Sequence, residues 1–126
     1  MNVLVLMCDQ LRFDALGCTG NALTATPNLD RLSTQSVRFD RCYTQAPSCA
    51  PARHSLSTGC YPHAHGMITS NHVPVSGMSQ LAHALGPLGY RRINVGRSPW
   101  DDPHISTGFD TSIDSSQWMD GMPDEV

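Results

Sequence analysis

The sequence has no long basic run, no cysteine pair spaced C-x-x-C, no apolar stretch of membrane-spanning length and no internal repeat. Each absence removes a class of function. With 8 basic residues against 11 acidic ones and a net charge of −3, nucleic acid is disfavoured as the main partner. The most apolar stretch, Asn2 to Met7, is too short to cross a bilayer and lacks the basic flank of an export signal. Neither a membrane nor secretion is therefore expected. The five cysteines (Cys8, Cys18, Cys42, Cys49 and Cys60) are odd in number, and without an export signal they read as reduced thiols of a cytoplasmic protein. What is there is the balance of a globular chain: 40% hydrophobic and 15% charged residues over 126 positions, enough for one domain with a modest core.

The order of elements reads as α/β. Residues 2–8 suit a central strand of a parallel sheet, ending in Asp9-Gln10. That is the end of a strand at which open α/β sheets place their sites. Residues 11–25 read as loop. Thr26-Pro27-Asn28-Leu29-Asp30-Arg31-Leu32 opens a helix, with Thr26 as N-cap, Pro27 at the first helical position and Asp30 near the positive end. Ser36 to Tyr43 alternates as a half-exposed strand would. A helix follows over about 50–58, then a loop from Cys60 to Gly66. The stripe Met78, Leu81, Ala82, Leu85 marks another helix, capped by Ser76 or Ser79 and ended by Gly86-Pro87. Arg92 to Gly96 is a short strand. Residues 111–126 show little periodicity and read as an irregular tail behind a segment 1–110.

The chemistry concentrates in Cys49-Ala50-Pro51-Ala52-Arg53-His54-Ser55-Leu56-Ser57-Thr58-Gly59. A proline just inside a helix and a glycine just past it place Cys49 at a helix N-terminus, where free N–H groups favour an anion. A nucleophilic side chain, an arginine and an anion-friendly backbone make a site for an anionic ester. A plain thiolate mechanism is one candidate, but three residues separate Cys49 from Arg53, closer than in the loop of thiolate phosphatases. Asp9-Gln10, taken alone, is a solvated strand end. His63 and His65 are loop histidines, each a candidate general acid or ligand, although a lone loop histidine is more often neither. Cys60, His63, His65 and His72 together hint at zinc without a standard finger spacing.

The stretch from Cys49 to Gly59 resembles the sulfatase signature C-x-P-x-R-x-x-x-x-T-G at every fixed position. Further similarities follow in order: Asn2-Val3-Leu4 to Asp9-Gln10-Leu11-Arg12, Thr26 to Leu32, Gly59 to Met67, Gly89-Tyr90-Arg91 and Gly108-Phe109-Asp110. The resemblance implies a partial alkaline-phosphatase-like parallel sheet flanked by helices. It implies that Cys49 is oxidised to formylglycine, whose hydrated aldehyde is the nucleophile. It makes Arg53 the residue that orients the nucleophile, and it makes Asp9, Gln10 and Cys49 ligands of a divalent cation, Ca2+ first and Mn2+ or Mg2+ as alternatives. The Asp-Gln pair resembles the choline-sulfatase and phosphonate monoester hydrolase branch, in which Asn71 falls at a substrate-side asparagine. His63 joins it as a substrate-binding candidate.

The chain departs from the family in two places. Where a Gly-Lys-Trp-His motif is usual, Gly96-Arg97-Ser98-Pro99-Trp100 stands, so Arg97 carries the charge without a lysine's compact geometry, and Pro99 replaces a histidine. The family's downstream metal pair is absent from these 126 residues. The expectation is a truncated hydrolase of small-molecule sulfate esters, served by a formylglycine-generating enzyme. A phosphonate or phosphodiester hydrolase is the alternative within the superfamily. A non-catalytic or homo-oligomerising module is the alternative outside enzymes.

Overall fold

A computed structural model of the chain describes residues 1–96 and 107–113. The chain divides into two compact units, Met1–Tyr43 and Thr44–Val126. Arg97 and Pro99 lie outside the described residues.

The first unit is built around one carboxylate. Two short 3-10 turns, Phe13–Ala15 and Gly17–Thr19, lead to helix α1, Pro27–Ser33. Asp30 accepts the Cys18 N–H at 2.7 Å and the Thr26 hydroxyl at 2.9 Å, and the Thr26 hydroxyl in turn accepts the Gly17 N–H at 2.9 Å. A Cβ at Gly17 would lie 2.5 Å from Asp30 Oδ2, so any side chain there displaces the carboxylate from its present bonds. Pro27 opens α1 as expected. Thr26 occupies the N-cap position but makes no side-chain cap bond, because its hydroxyl is engaged by Gly17 and Asp30. The segment read as loop therefore carries two helical turns, the second held by this network and the first by the Thr19 hydroxyl and the Asn21 amide, which donate to the Phe13 and Asp14 carbonyls at 2.7 Å each.

Two expected strands do not form. Residues 2–8 and Ser36–Tyr43 carry no strand, and their apolar side chains are exposed, Leu4 at 80% and Val37 at 78%. A strand is defined by the ladder it shares with a neighbour, and among the described residues no segment pairs with either. Apolar alternation specifies which face would be buried; it does not supply the partner.

The second unit carries helices α2, Cys49–Thr58, α3, Pro62–His65, and α4, Leu81–Leu85. It also carries the parallel strand pair β1, Ile93–Val95, and β2, Thr111–Ile113, in the register Ile93↔Thr111 and Val95↔Ile113. β2 uses the first residues of the segment read as an irregular tail. The described part of the chain is thus a partial α/β fold. Its buried set is small and half polar: Ala46, Met67 and Ala82 beside His54, Ser55, His65 and Gln80. Of the expected stripe on α4 only Ala82 is buried, and Met78 lies before the helix. Gln80 caps α4 in place of Ser76 or Ser79. Its side chain accepts the His83 N–H while His83 Nδ1 accepts the Gln80 N–H at 3.4 Å, a reciprocal box that serine cannot complete alone. Gly86-Pro87 ends α4 as expected, and the chain continues in a 3-10 turn, Gly86–Leu88.

Arg92 fastens β1 to the approach of β2. Its Nε and backbone N–H donate to Asp110 at 3.0 and 2.8 Å, and Nη1 reaches the Ala82 carbonyl at 3.0 Å. The guanidinium and this backbone N–H hold the Asp110 carboxyl down to about 2. No helix among the described residues is long and apolar enough to cross a membrane.

Asp30 is the most consequential side chain of the first unit. Asp30→Ala strips the partners of the Cys18 N–H and Thr26 hydroxyl and should destabilise α1 and the preceding turn by about 1–3 kcal/mol. Asp30→Asn keeps an acceptor oxygen and should lose less. Amide exchange at Cys18 compares the two variants.

Candidate active site

The signature stretch forms helix α2 for local reasons. Ser48 is extended (φ −119°, ψ 143°), and the first helical bond runs from Ala52 N–H to the Ser48 carbonyl at 3.1 Å. Pro51 sits in the first turn, where a backbone N–H has no intrahelical acceptor in any case, so its missing donor costs nothing. At the other end Gly59 takes the left-handed conformation (φ 69°) and returns its N–H to the Ser55 carbonyl at 2.9 Å. The hydroxyls of Ser57 and Thr58 both donate to the His54 carbonyl, at 3.1 and 2.7 Å. The Thr-Gly ending is thus a helix stop with its carbonyl satisfied.

One face of α2 is buried and another is presented to solvent. Pro51, His54 and Ser55, at spacing i, i+3, i+4, are buried. Cys49 is exposed at the first helical position, and Arg53, half-buried, follows one turn later on the same face. The N–H groups of Cys49 and Ala50 point out of the helix start, where the macrodipole favours negative charge. The Cys49 thiol is thus open to solvent.

The loop carrying Asn71 is brought to this end of α2. Ser48 and Ser70, the residues just before Cys49 and Asn71, are hydrogen-bonded through their hydroxyls at 3.1 Å. The loop itself is a turn in which the His72 N–H donates to the Thr69 carbonyl and His72 Nδ1 accepts the Thr69 N–H. Asn71 is exposed, as is His63, whose ring stacks on Tyr61 at 5.8 Å and 9°. A groove of about 360 Å³, lined by His54, Gln80, His83 and the segment 73–79, does not include Cys49, Arg53 or Asn71.

Asp9 and Gln10 belong to the first unit. They form an exposed turn, and Gln10 has φ 54°, the one non-glycine residue with positive φ among the described residues. A glutamine held in the left-handed region is a strained conformation of the kind found at functional sites. The zinc reading of Cys60, His63, His65 and His72 is not supported: no group of three or more His, Cys, Asp or Glu is placed to hold a metal among the described residues. His72 instead caps Thr69, and His65 is turned into the protein.

His65 is the residue that sequence reading mistook for a loop histidine. It is fully buried at the end of α3. Its Nε2 meets Ser55 Oγ at 2.9 Å, its Nδ1 accepts the Met67 N–H at 3.2 Å, and its ring stands edge-on to His54 at 4.7 Å. Burial lowers the pKa of both histidines, and the proximity of His65 lowers that of His54 further. The signal was available: Pro62 and Gly66 bracket a helical turn just as Pro51 and Gly59 bracket α2.

Comparison with known proteins shows the family. The family model described as Sulfatase matches residues 1–125. The chain is 42% identical over 97 residues to an arylsulfatase of Clostridium perfringens, covering 76% of this chain and 20% of that protein. It is 33% identical over 122 residues to an N-acetylglucosamine-6-O-sulfatase of Bacteroides thetaiotaomicron, covering 95% of this chain and 21% of that one. The crystal structure of the phosphonate monoester hydrolase of Agrobacterium radiobacter superposes with a TM-score of 0.71 at 29% identity, over 84% of this chain and 24% of that chain. The fold is a partial α/β architecture whose structural neighbour is a hydrolase. The chain belongs to the sulfatase family. It spans about a fifth to a quarter of the length of these relatives.

The left-handed stop of α2 should be sensitive to Cβ chemistry alone, since nothing lies within 4 Å of a Cβ built at Gly59. Gly59→Ala should cost about 1–2 kcal/mol, and Gly59→Asn less, because asparagine tolerates this conformation. Thermal unfolding of the two variants reads the difference.

Proposed function

We propose that this chain carries the nucleophile segment of a sulfuric-ester hydrolase acting on small-molecule sulfate esters. The observation that carries the reading is α2: an exposed Cys49 at the start of a ten-residue helix, with Arg53 one turn away on the same face. Cys49 is the residue a formylglycine-generating enzyme would convert. When formed, the hydrated aldehyde supplies an oxygen nucleophile at sulfur and a second hydroxyl through which the bound sulfate is expelled.

The chain's own groups have distinct parts in this reading. The exposed N–H groups at the start of α2 and the fork of Arg53 bind and orient the ester's anionic oxygens. Arg97 adds positive charge toward the sulfate, and Asn71 and His63 contact the substrate from the loop at residues 69–72 and from α3. The Ser48–Ser70 hydrogen bond supports the assignment of Asn71, since it ties that loop to the helix start. Asp9 and Gln10 fit a hard divalent cation such as Ca2+ in kind, being oxygen donors on a strained turn. They fall short of the roughly six to eight ligands such an ion takes. The five free thiols suit a reducing, cytoplasmic setting.

Hydrolysis of phosphonate monoesters or phosphodiesters is the second reading, favoured by the Asp9-Gln10 pair and by the superposition on a phosphonate monoester hydrolase. Both chemistries share the nucleophile and differ in the ester they prefer.

Turnover of an aryl sulfate and of an aryl phosphonate monoester, each with added calcium, should be lost in Cys49→Ala while the far-UV spectrum is unchanged. A larger kcat/KM for the sulfate supports the first reading and for the phosphonate the second. Turnover that survives Cys49→Ala contradicts both, and no turnover of either ester by the unsubstituted chain favours a non-catalytic module.

A further inference from the structure

The buried side of the signature helix holds an arrangement that the hydrolase reading does not use. His65 Nδ1 accepts the Met67 N–H, so in the neutral ring the proton sits on Nε2, and Nε2–H donates to Ser55 Oγ at 2.9 Å. Ser55 lies on the inner face of α2, one residue beyond His54 and two residues beyond Arg53. The backbone carbonyl of His65 accepts the Val75 N–H at 2.8 Å, and the Gly66 position abuts the Val75 side chain. The imidazole therefore joins α2 to the turn after α3, and the backbone of the same residue ties in the segment around Val75.

We propose that His65 is a positioning residue for the nucleophile helix: its Nε2–H tautomer clasps Ser55 while Met67 N–H locks the ring, fixing the pose of α2 and hence of Cys49 and Arg53. This assignment rests on α2 as the nucleophile helix for its catalytic meaning, and on geometry alone for its structural meaning. The clasp is acid-sensitive. A second proton can only go to Nδ1, where it would face the Met67 N–H, donor against donor. The other titratable groups acting on the ring are His54 from α2 and His63 from α3, and both oppose a positive charge there once they are charged. The segment 73–75 contributes only Val73, Pro74 and Val75. The folded chain thus keeps His65 neutral while the unfolded chain takes up a proton below its ordinary value of about 6.5. The stability it contributes is complete above about pH 6.5 and is lost as the pH falls through the lowered folded value.

The test uses the full chain labelled with 15N-histidine. At pH 7.5 the ring shifts of His65 should report the Nε2–H tautomer, and the ring should remain neutral at a pH where an ordinary histidine is half charged. Amide exchange in α2 at Ser55 to Gly59 should accelerate about tenfold or more in His65→Leu. His65→Gln, which keeps a donor toward Ser55 without an ionisable ring, should return it to within about threefold. The extra opening of α2 between pH 7.5 and 5.5, corrected for intrinsic exchange, should be smaller in His65→Gln than in the unsubstituted chain. An Nδ1–H tautomer, an ordinary titration, or unchanged α2 exchange in His65→Leu overturns the clasp. The tautomer is read on the unsubstituted chain, so the clasp can be overturned even where His65→Leu does not fold. None of these readouts involves Cys49 chemistry. A chain that hydrolyses no ester yet shows the Nε2–H tautomer refutes the hydrolase reading and keeps the clasp.

Discussion

The second unit depends on how the inner face of α2 is held. Pro51, His54 and Ser55 are buried there, and His65 meets two of them, Ser55 by a hydrogen bond and His54 by an edge-on ring contact. Among the described residues the buried hydrophobic side chains besides proline are Ala46, Met67 and Ala82, which contribute little hydrophobic stabilisation. Directional bonds must therefore set the geometry, and buried polar groups are costly unless every donor finds its acceptor. The Ser55–His65–Met67 chain meets that condition. It leaves the opposite face of α2 to present Cys49 and Arg53.

The same economy recurs in the first unit. One carboxylate, Asp30, gathers a backbone N–H from the preceding turn and the hydroxyl of Thr26 at the start of α1, and Gly17 leaves room for the carboxylate to come close. Arg92 acts similarly between β1, Asp110 and Ala82. Each part of the chain is organised by a single polar side chain with several partners. Large apolar groups such as Leu4, Leu6 and Phe39 stand exposed.

What the sequence made legible follows the range of the forces involved. Helix punctuation is local: Pro27 before α1, Pro51 within α2 and Gly59 after it act through a few neighbouring dihedrals, and these elements lie where the residues place them. The signature residues could be read for the same reason. Strands at 2–8 and 36–43 could not, because their existence depends on partners that pattern alone does not name. The Gln80–His83 box escaped notice because serines are the commoner caps. His65 escaped because burial is a property of the fold; two residues earlier in the chain, His63 is exposed and stacked on Tyr61. The family was legible from several motifs in order, and the match over residues 1–125 shows it.

The central claim is that Cys49 is a nucleophile precursor and not a structural thiol. Its most direct test is the mass of the peptide containing Cys49, from chain co-expressed with a formylglycine-generating enzyme. Conversion lowers that peptide by about 18 Da, and the product should react with an aldehyde-specific hydrazide. A peptide of unmodified thiol mass that alkylates fully with iodoacetamide would contradict the account.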